Sequence, residues 1–107
     1  MKRIFVEVKE FQHQIDNFND ADLLRSLQES ILKDPEAGVL IKGSGGVRKV
    51  RMSAKGKGKS GGIRVFYLDI PLKEKCYLLF ILEKSNSANI TDKEKNELKK
   101  LSQILKR

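Results

Sequence analysis

A chain of 107 residues, 39% hydrophobic and 34% charged, is sized for a single domain, residues 1–107, that buries roughly two thirds of its unfolded surface. One cysteine and one histidine exclude an intramolecular disulfide and a zinc site of the Cys/His type. A formal net charge of +8 is the footprint of a polyanion binder, whereas no segment approaches the ~20 apolar residues of a membrane span and no amphipathic helix gathers the basic residues into a lipid anchor.

The start, MKRIFVEVKEF, is basic, but Glu7 and Lys9 interrupt the apolar run before it could serve as a signal sequence, so the expected compartment is the cytoplasm. Ile4, Val6 and Val8 alternate in Arg3 to Val8, which predicts a first strand. From about Glu10 to Phe18, Phe11, Ile15 and Phe18 fall on one helical face, with His13 off that stripe as a surface residue. Asn19 or Asp20 can cap a second helix whose apolar stripe is Leu23, Leu24, Leu27, Ile31 and Leu32, stopped by Pro35 and Gly38. The two helices form a hairpin able to cover one face of a sheet. Val39 to Ile41 reads either as a short strand or as the entry to a basic segment.

That segment, Lys42 to Arg64, is the centre of the chain. It holds Lys42, Arg48, Lys49, Arg51, Lys55, Lys57, Lys59 and Arg64 with no acidic residue, while the remainder carries 14 basic groups against 14 acidic ones. The net charge is therefore contained in this one segment. Seven of the 8 glycines also lie here, allowing close approach of backbone to a ligand, and Lys and Arg donors fit phosphate oxygens. A charge run is ordinarily just a solvated surface. Here, however, Val47 to Met52 alternates apolar and basic residues and Ile63 to Ile70 reads as a strand, so the cations are mounted on or between strands.

Pro71 to Lys75 is a turn, and Cys76 to Glu83 a second strand of a hairpin, its apolar run at 77 to 82 suggesting cover on both faces. Cys76 is most simply a small hydrophobe. Thr91 and Glu94 make a capping box for a last helix with the stripe Leu98, Leu101, Ile104 and Leu105. The order is strand, two helices, three or four strands, helix.

Gly58-Lys59-Ser60 matches the end of a phosphate-binding loop, but Ser53 stands where its first glycine belongs and a strand follows where a helix is required, so nucleotide hydrolysis is excluded. The charge suits RNA, whose 2′-hydroxyl supplies its own nucleophile. Protein groups need only move protons and steady the developing phosphorane charge, a task for Arg, while crowding by cations lowers a lysine toward use as a base. A DNA-binding regulator lacks support, because the basic residues lie on predicted strands and loops rather than on a recognition helix.

Gly43-Ser44-Gly45-Gly46-Val47-Arg48-Lys49-Val50-Arg51, Ala54-Lys55-Gly56-Lys57-Gly58-Lys59-Ser60-Gly61-Gly62-Ile63-Arg64-Val65, Tyr67, Tyr77-Leu78-Leu79, Lys84 and Ile90-Thr91 together resemble the RelE/HigB toxins of bacterial type II toxin–antitoxin systems, in particular the HigB-like branch. The resemblance implies an α+β, RelE-like fold: a twisted, mainly antiparallel sheet with two N-terminal helices and one C-terminal helix, in the order β-α-α-β-β-β-α. It implies a ribosome-dependent endoribonuclease, an mRNA interferase acting in the ribosomal A site without metal or other cofactor. The implied partners are the ribosome with its mRNA, and a cognate antitoxin, often of helix-turn-helix type. Carried over, Arg64 stabilises the transition state, Lys55 and Lys57 hold phosphate or share the base role, and Lys84, where the family has a basic residue at the end of the last strand, is a further catalytic candidate. Arg48, Lys49, Arg51 and Lys59 contact RNA backbone. Where the branch reads Tyr-x-Lys-Asn-Glu, this chain has Leu82-Glu83-Lys84-Ser85-Asn86. The lost tyrosine and acid set beside the enzyme an alternative, an attenuated or non-catalytic RNA- or ribosome-binding protein derived from such a toxin.

Overall fold

In the computed structural model, residues 2–53, 62–83 and 90–107 are described. The elements are β1 (Ile4–Glu7), α1 (Lys9–Asn17), α2 (Ala21–Lys33), β2 (Val39–Leu40), β3 (Arg48–Met52), β4 (Ile63–Ile70), β5 (Lys75–Glu83) and α3 (Asp92–Leu105). The strands form one sheet in the order β1-β5-β4-β3-β2. All pairings are antiparallel except β1 with β5. The α+β class is thus observed and the order of elements is close to that expected, with four strands rather than three between α2 and α3 because Val39–Leu40 forms a strand of two residues.

Each local feature has an identifiable cause. The Asp20 side chain caps α2 by accepting from the Asp22 N–H, and the preceding Asn19 takes a left-handed φ of 49° that reverses the chain between the two helices. The Thr91–Glu94 capping box starts α3, with both reciprocal hydrogen bonds formed. A single 3-10 turn at Pro71–Lys73 joins β4 to β5.

Alternation in β4 divides the core into two layers. Ile63, Val65 and Tyr67 face α1 and α2, packing with Phe11, Ile15, Leu23, Leu27 and Ile31. Phe66, Leu68 and Ile70 face α3, packing with Leu79, Val47, Ile41 and Leu98. In β5 the register shifts by one residue: Phe66 opposes Phe80 and Tyr67 opposes Leu78, leaving Leu79 as an extra residue. This bulge turns both Leu79 and Phe80 toward the α3 layer, which is why a strict alternation is not visible in CYLLFILE. Of the stripe expected in α3, Leu98 is buried and Leu101 and Leu105 are half-buried, but Ile104 is 56% exposed. The helix instead buries Ser102, whose hydroxyl donates to the Gly45 carbonyl at 2.6 Å.

Two polar devices hold the edges. The Gln14 amide donates to the Ile81 carbonyl and accepts from the Ile81 N–H, at 2.8 and 2.7 Å, and so completes the β5 edge beyond Leu78, where β1 has ended. Arg3 forks onto both carboxylate oxygens of Asp69, at 2.7 and 3.1 Å, with both side chains 9% exposed.

Candidate nucleic-acid interface

β3 and β4 place their cations by register. Arg51 lies directly opposite Arg64, and Arg64 in turn opposite Leu82, so the three form one row across β3, β4 and β5. The next row on the same face is Lys49, Phe66 and Phe80. Phe66 and Phe80 stack with ring centroids 4.3 Å apart and planes at 10°. Both rows lie on the α3 side of the sheet, because Phe66 and Leu82 pack in that layer. Arg64 is half-buried and Arg51 exposed.

Side chains directly opposed in an antiparallel pair have Cβ atoms only about 4.5–5.5 Å apart, and like charges there are destabilising. Among the described residues no acidic side chain shares either row and no ion pair to either arginine is formed, so the Arg51–Arg64 pair concentrates positive charge at the end of the sheet where β3 ends, β4 begins and β5 ends. Gly62 helps shape it: a Cβ there would meet the Met52 carbonyl at 3.1 Å and Arg51 Nε at 3.5 Å, so the bare backbone leaves room for the Arg51 side chain to lie across it.

Arg48 is placed differently from its neighbours. It opposes Tyr67 and so faces the α1–α2 layer, where Nη1 donates to the Glu36 and Gly38 carbonyls at 3.2 and 2.8 Å and Nη2 lies 3.7 Å from the Glu36 carboxylate. Its donors close the connection from α2 to β2. The alternation of β3 by itself separates Arg48 from Lys49 and Arg51, and is the signal that a residue-by-residue reading of the basic run passes over. Lys55, Lys57, Lys59 and Lys84 lie outside the described residues.

The motif residues also divide in function. Gly43, Gly45 and Gly46 all have positive φ and build the turn from β2 to β3. The buried Ser44 hydroxyl donates to the Ile41 carbonyl at 2.6 Å and accepts from the Val47 N–H at 3.1 Å. The Gly45 carbonyl accepts from Ser102 and from Lys106 Nζ. This half of the glycine-rich segment thus approaches α3 closely. Tyr67 is a structural residue: buried, it donates to the Pro35 carbonyl at 2.8 Å and accepts from the Gly38 N–H at 3.1 Å, and burial pushes its phenol up. Cys76 is buried and apolar surroundings push its thiol up to about 12, so it is no thiolate nucleophile at neutral pH.

The described residues form no helix long and apolar enough to cross a membrane. A sheet closed on one face by a helical hairpin, and presenting opposed arginines on the other, defines a small α+β protein built to meet a polyanion. The model of the family described as the RelE toxin of the RelE/RelB toxin–antitoxin system matches residues 2–107. The chain belongs to this family; it is a toxin of a toxin–antitoxin system, a class whose members generally cleave mRNA.

Proposed function

We propose that this toxin is a ribosome-dependent mRNA endoribonuclease of the HigB-like branch, cleaving by metal-independent attack of the 2′-hydroxyl on the adjacent phosphate in the A site. The observation that carries the reading is the Arg51–Arg64 opposition on the open end of the sheet. An anion bridging the two guanidiniums relieves their repulsion, and relieves it more as charge accumulates on a phosphorane, so the arrangement favours the transition state over the ground state. Arg64 is the transition-state residue. It is the better held of the two, being half-buried between Arg51 and Leu82. Arg51 and Lys49 hold RNA backbone along β3, and Arg48, turned to the other face, acts through the α2–β2 connection. Lys55 and Lys57 share phosphate binding and the base role, Lys59 contacts backbone, and Lys84, which follows Glu83 at the end of β5, adds a further cation. The cognate antitoxin restrains the activity.

Primer extension on mRNA after brief induction, beside Arg64→Ala, tests this. Cuts within translated codons are expected for the parent chain, weakened by at least about a hundredfold in the variant, and in purified components they require ribosomes. Undiminished cutting by Arg64→Ala at equal protein level refutes the assignment. The second reading, a non-catalytic or attenuated binder, draws on Leu82, which puts an aliphatic side chain in the row of Arg64 where the branch has a tyrosine. Intact mRNA with ribosome association retained would favour it.

A further inference from the structure

Beyond the arginine row, the α3 side of the sheet holds a separate cleft at the β2 edge. It has a volume of about 190 Å³ and lies between β2, β3 and the first turns of α3. Three lysines from three different elements converge on it: Lys42 after β2, Lys49 on β3 and Lys95 on α3. Its apolar wall is Val39, Ile41 and Ile90. No acidic residue lines it, and none of the three lysines is in an ion pair among the described residues. Converging cations without a counter-charge select an anion. The apolar wall adds a second requirement. Val39 is 63% exposed, on an edge strand where an apolar side chain gains nothing from water, so a ligand with an apolar part as well as charge is complementary to the cleft. At this volume the cleft is below the range of drug-sized ligand pockets, the scale of one ring system.

The cleft continues the proposed cleavage row. Lys49 lines the cleft and lies in the row next to that of Arg51 and Arg64, two residues from Arg51 on the same face of β3, a rise of about 6.6–6.8 Å, comparable to one step of an extended nucleotide strand. The opposite direction is unfavourable to RNA. On the other side of α3 the larger groove, of about 530 Å³, is apolar and rimmed by Glu10, Glu94 and Glu97, carboxylates that repel phosphate. The charge distribution thus leads a strand from Arg64 across Lys49 toward β2.

We propose that this cleft is an accessory nucleotide subsite, taking the nucleotide one step from the phosphate held by Arg51 and Arg64. Its base lies against Val39, Ile41 and Ile90, and its phosphate is held by Lys42, Lys49 and Lys95. The proposal rests on the RNA-cleaving reading, and its test separates the two. Backbone amide shifts of the full-length Arg64→Ala chain are followed during titration with a short uncleaved oligoribonucleotide, with a nucleoside monophosphate and with inorganic phosphate. The expected result is movement of Val39, Ile41, Lys42 and Ile90 with both nucleotides and little movement with phosphate alone. Lys42→Ala combined with Lys95→Ala, in the same background, is expected to weaken oligoribonucleotide binding by roughly tenfold and to lower the slope of log K against log salt by about 0.7, the value for one single-strand phosphate contact. Shifts confined to Lys49, Arg51 and their neighbours overturn the subsite while leaving the RNA reading intact. Equal shifts with inorganic phosphate overturn the nucleotide assignment in favour of a simple anion site. Absence of shifts on both rows overturns the subsite together with the reading on which it rests.

Discussion

Gly45 and Gly43 share a backbone conformation, φ of +82° in both, yet differ in what surrounds them, and this makes a controlled pair. A Cβ at Gly43 would meet nothing within 4 Å, whereas one at Gly45 would lie 2.8 Å from Ser102 Cβ, 2.9 Å from Ser102 Oγ and 3.3 Å from Lys99 Cα. Ser102 Cβ and Lys99 Cα are fixed to the backbone of α3 and cannot rotate away. Gly43→Ala therefore incurs only the left-handed strain of an L-residue, about 1–2 kcal/mol. Gly45→Ala adds overpacking of about 1–3 kcal/mol, and forcing the loop off the helix also loosens the hydrogen bonds that Ser102 and Lys106 donate to the Gly45 carbonyl. Equilibrium urea unfolding of the two variants measures the difference directly. Gly45→Ala is expected to be the less stable by about 1–3 kcal/mol. If the two agree within about 0.5 kcal/mol, the usual error of additivity for independent sites, the loop does not bear on α3 in the way its geometry requires.

Two further perturbations test the frame that carries the site. Gln14→Ala leaves both the Ile81 N–H and C=O without the side-chain partners they have at 2.7 and 2.8 Å, at a cost of about 1–3 kcal/mol for each group left unsatisfied; hydrogen exchange should show the Ile81 amide losing protection, and unchanged protection would remove Gln14 as the partner that completes this edge. Cys76 titrates near 9.0 when ordinary and near 12 in the fold. Because the folded state holds its proton over that interval while the unfolded chain releases it, this contribution to stability is complete below pH 9 and is lost as pH rises toward 12. Urea midpoints should fall across that window, less steeply in Cys76→Ala, with Tyr67 acting in the same direction; parallel curves for the two chains would remove Cys76 as a cause.

The elements of this protein were legible because their signals are local. The capping box at Thr91, the cap at Asp20 and the i, i+4 stripe of α1 are all read within a few residues, and each is found in the structure. The resemblance to RelE-family toxins, drawn from motif residues spread over most of the chain, was likewise readable and agrees, at the level of the family, with the match over 2–107. What the strands do to one another was not. That Arg51 meets Arg64, that Arg48 turns away to the Gly38 carbonyl, and that Lys42, Lys49 and Lys95 share one cleft are consequences of register and of where α3 comes to rest. Ile104 reads from sequence as part of the buried stripe of α3; the Gly45 carbonyl instead accepts from the buried Ser102 hydroxyl on the β2–β3 side, and Ile104 is left exposed. Composition alone determines that the chain seeks a polyanion, since charge sums over residues whatever their arrangement. Only tertiary structure decides which cations face it together, because Coulomb energy depends on separation, and the separations are set by pairing between residues far apart in the chain.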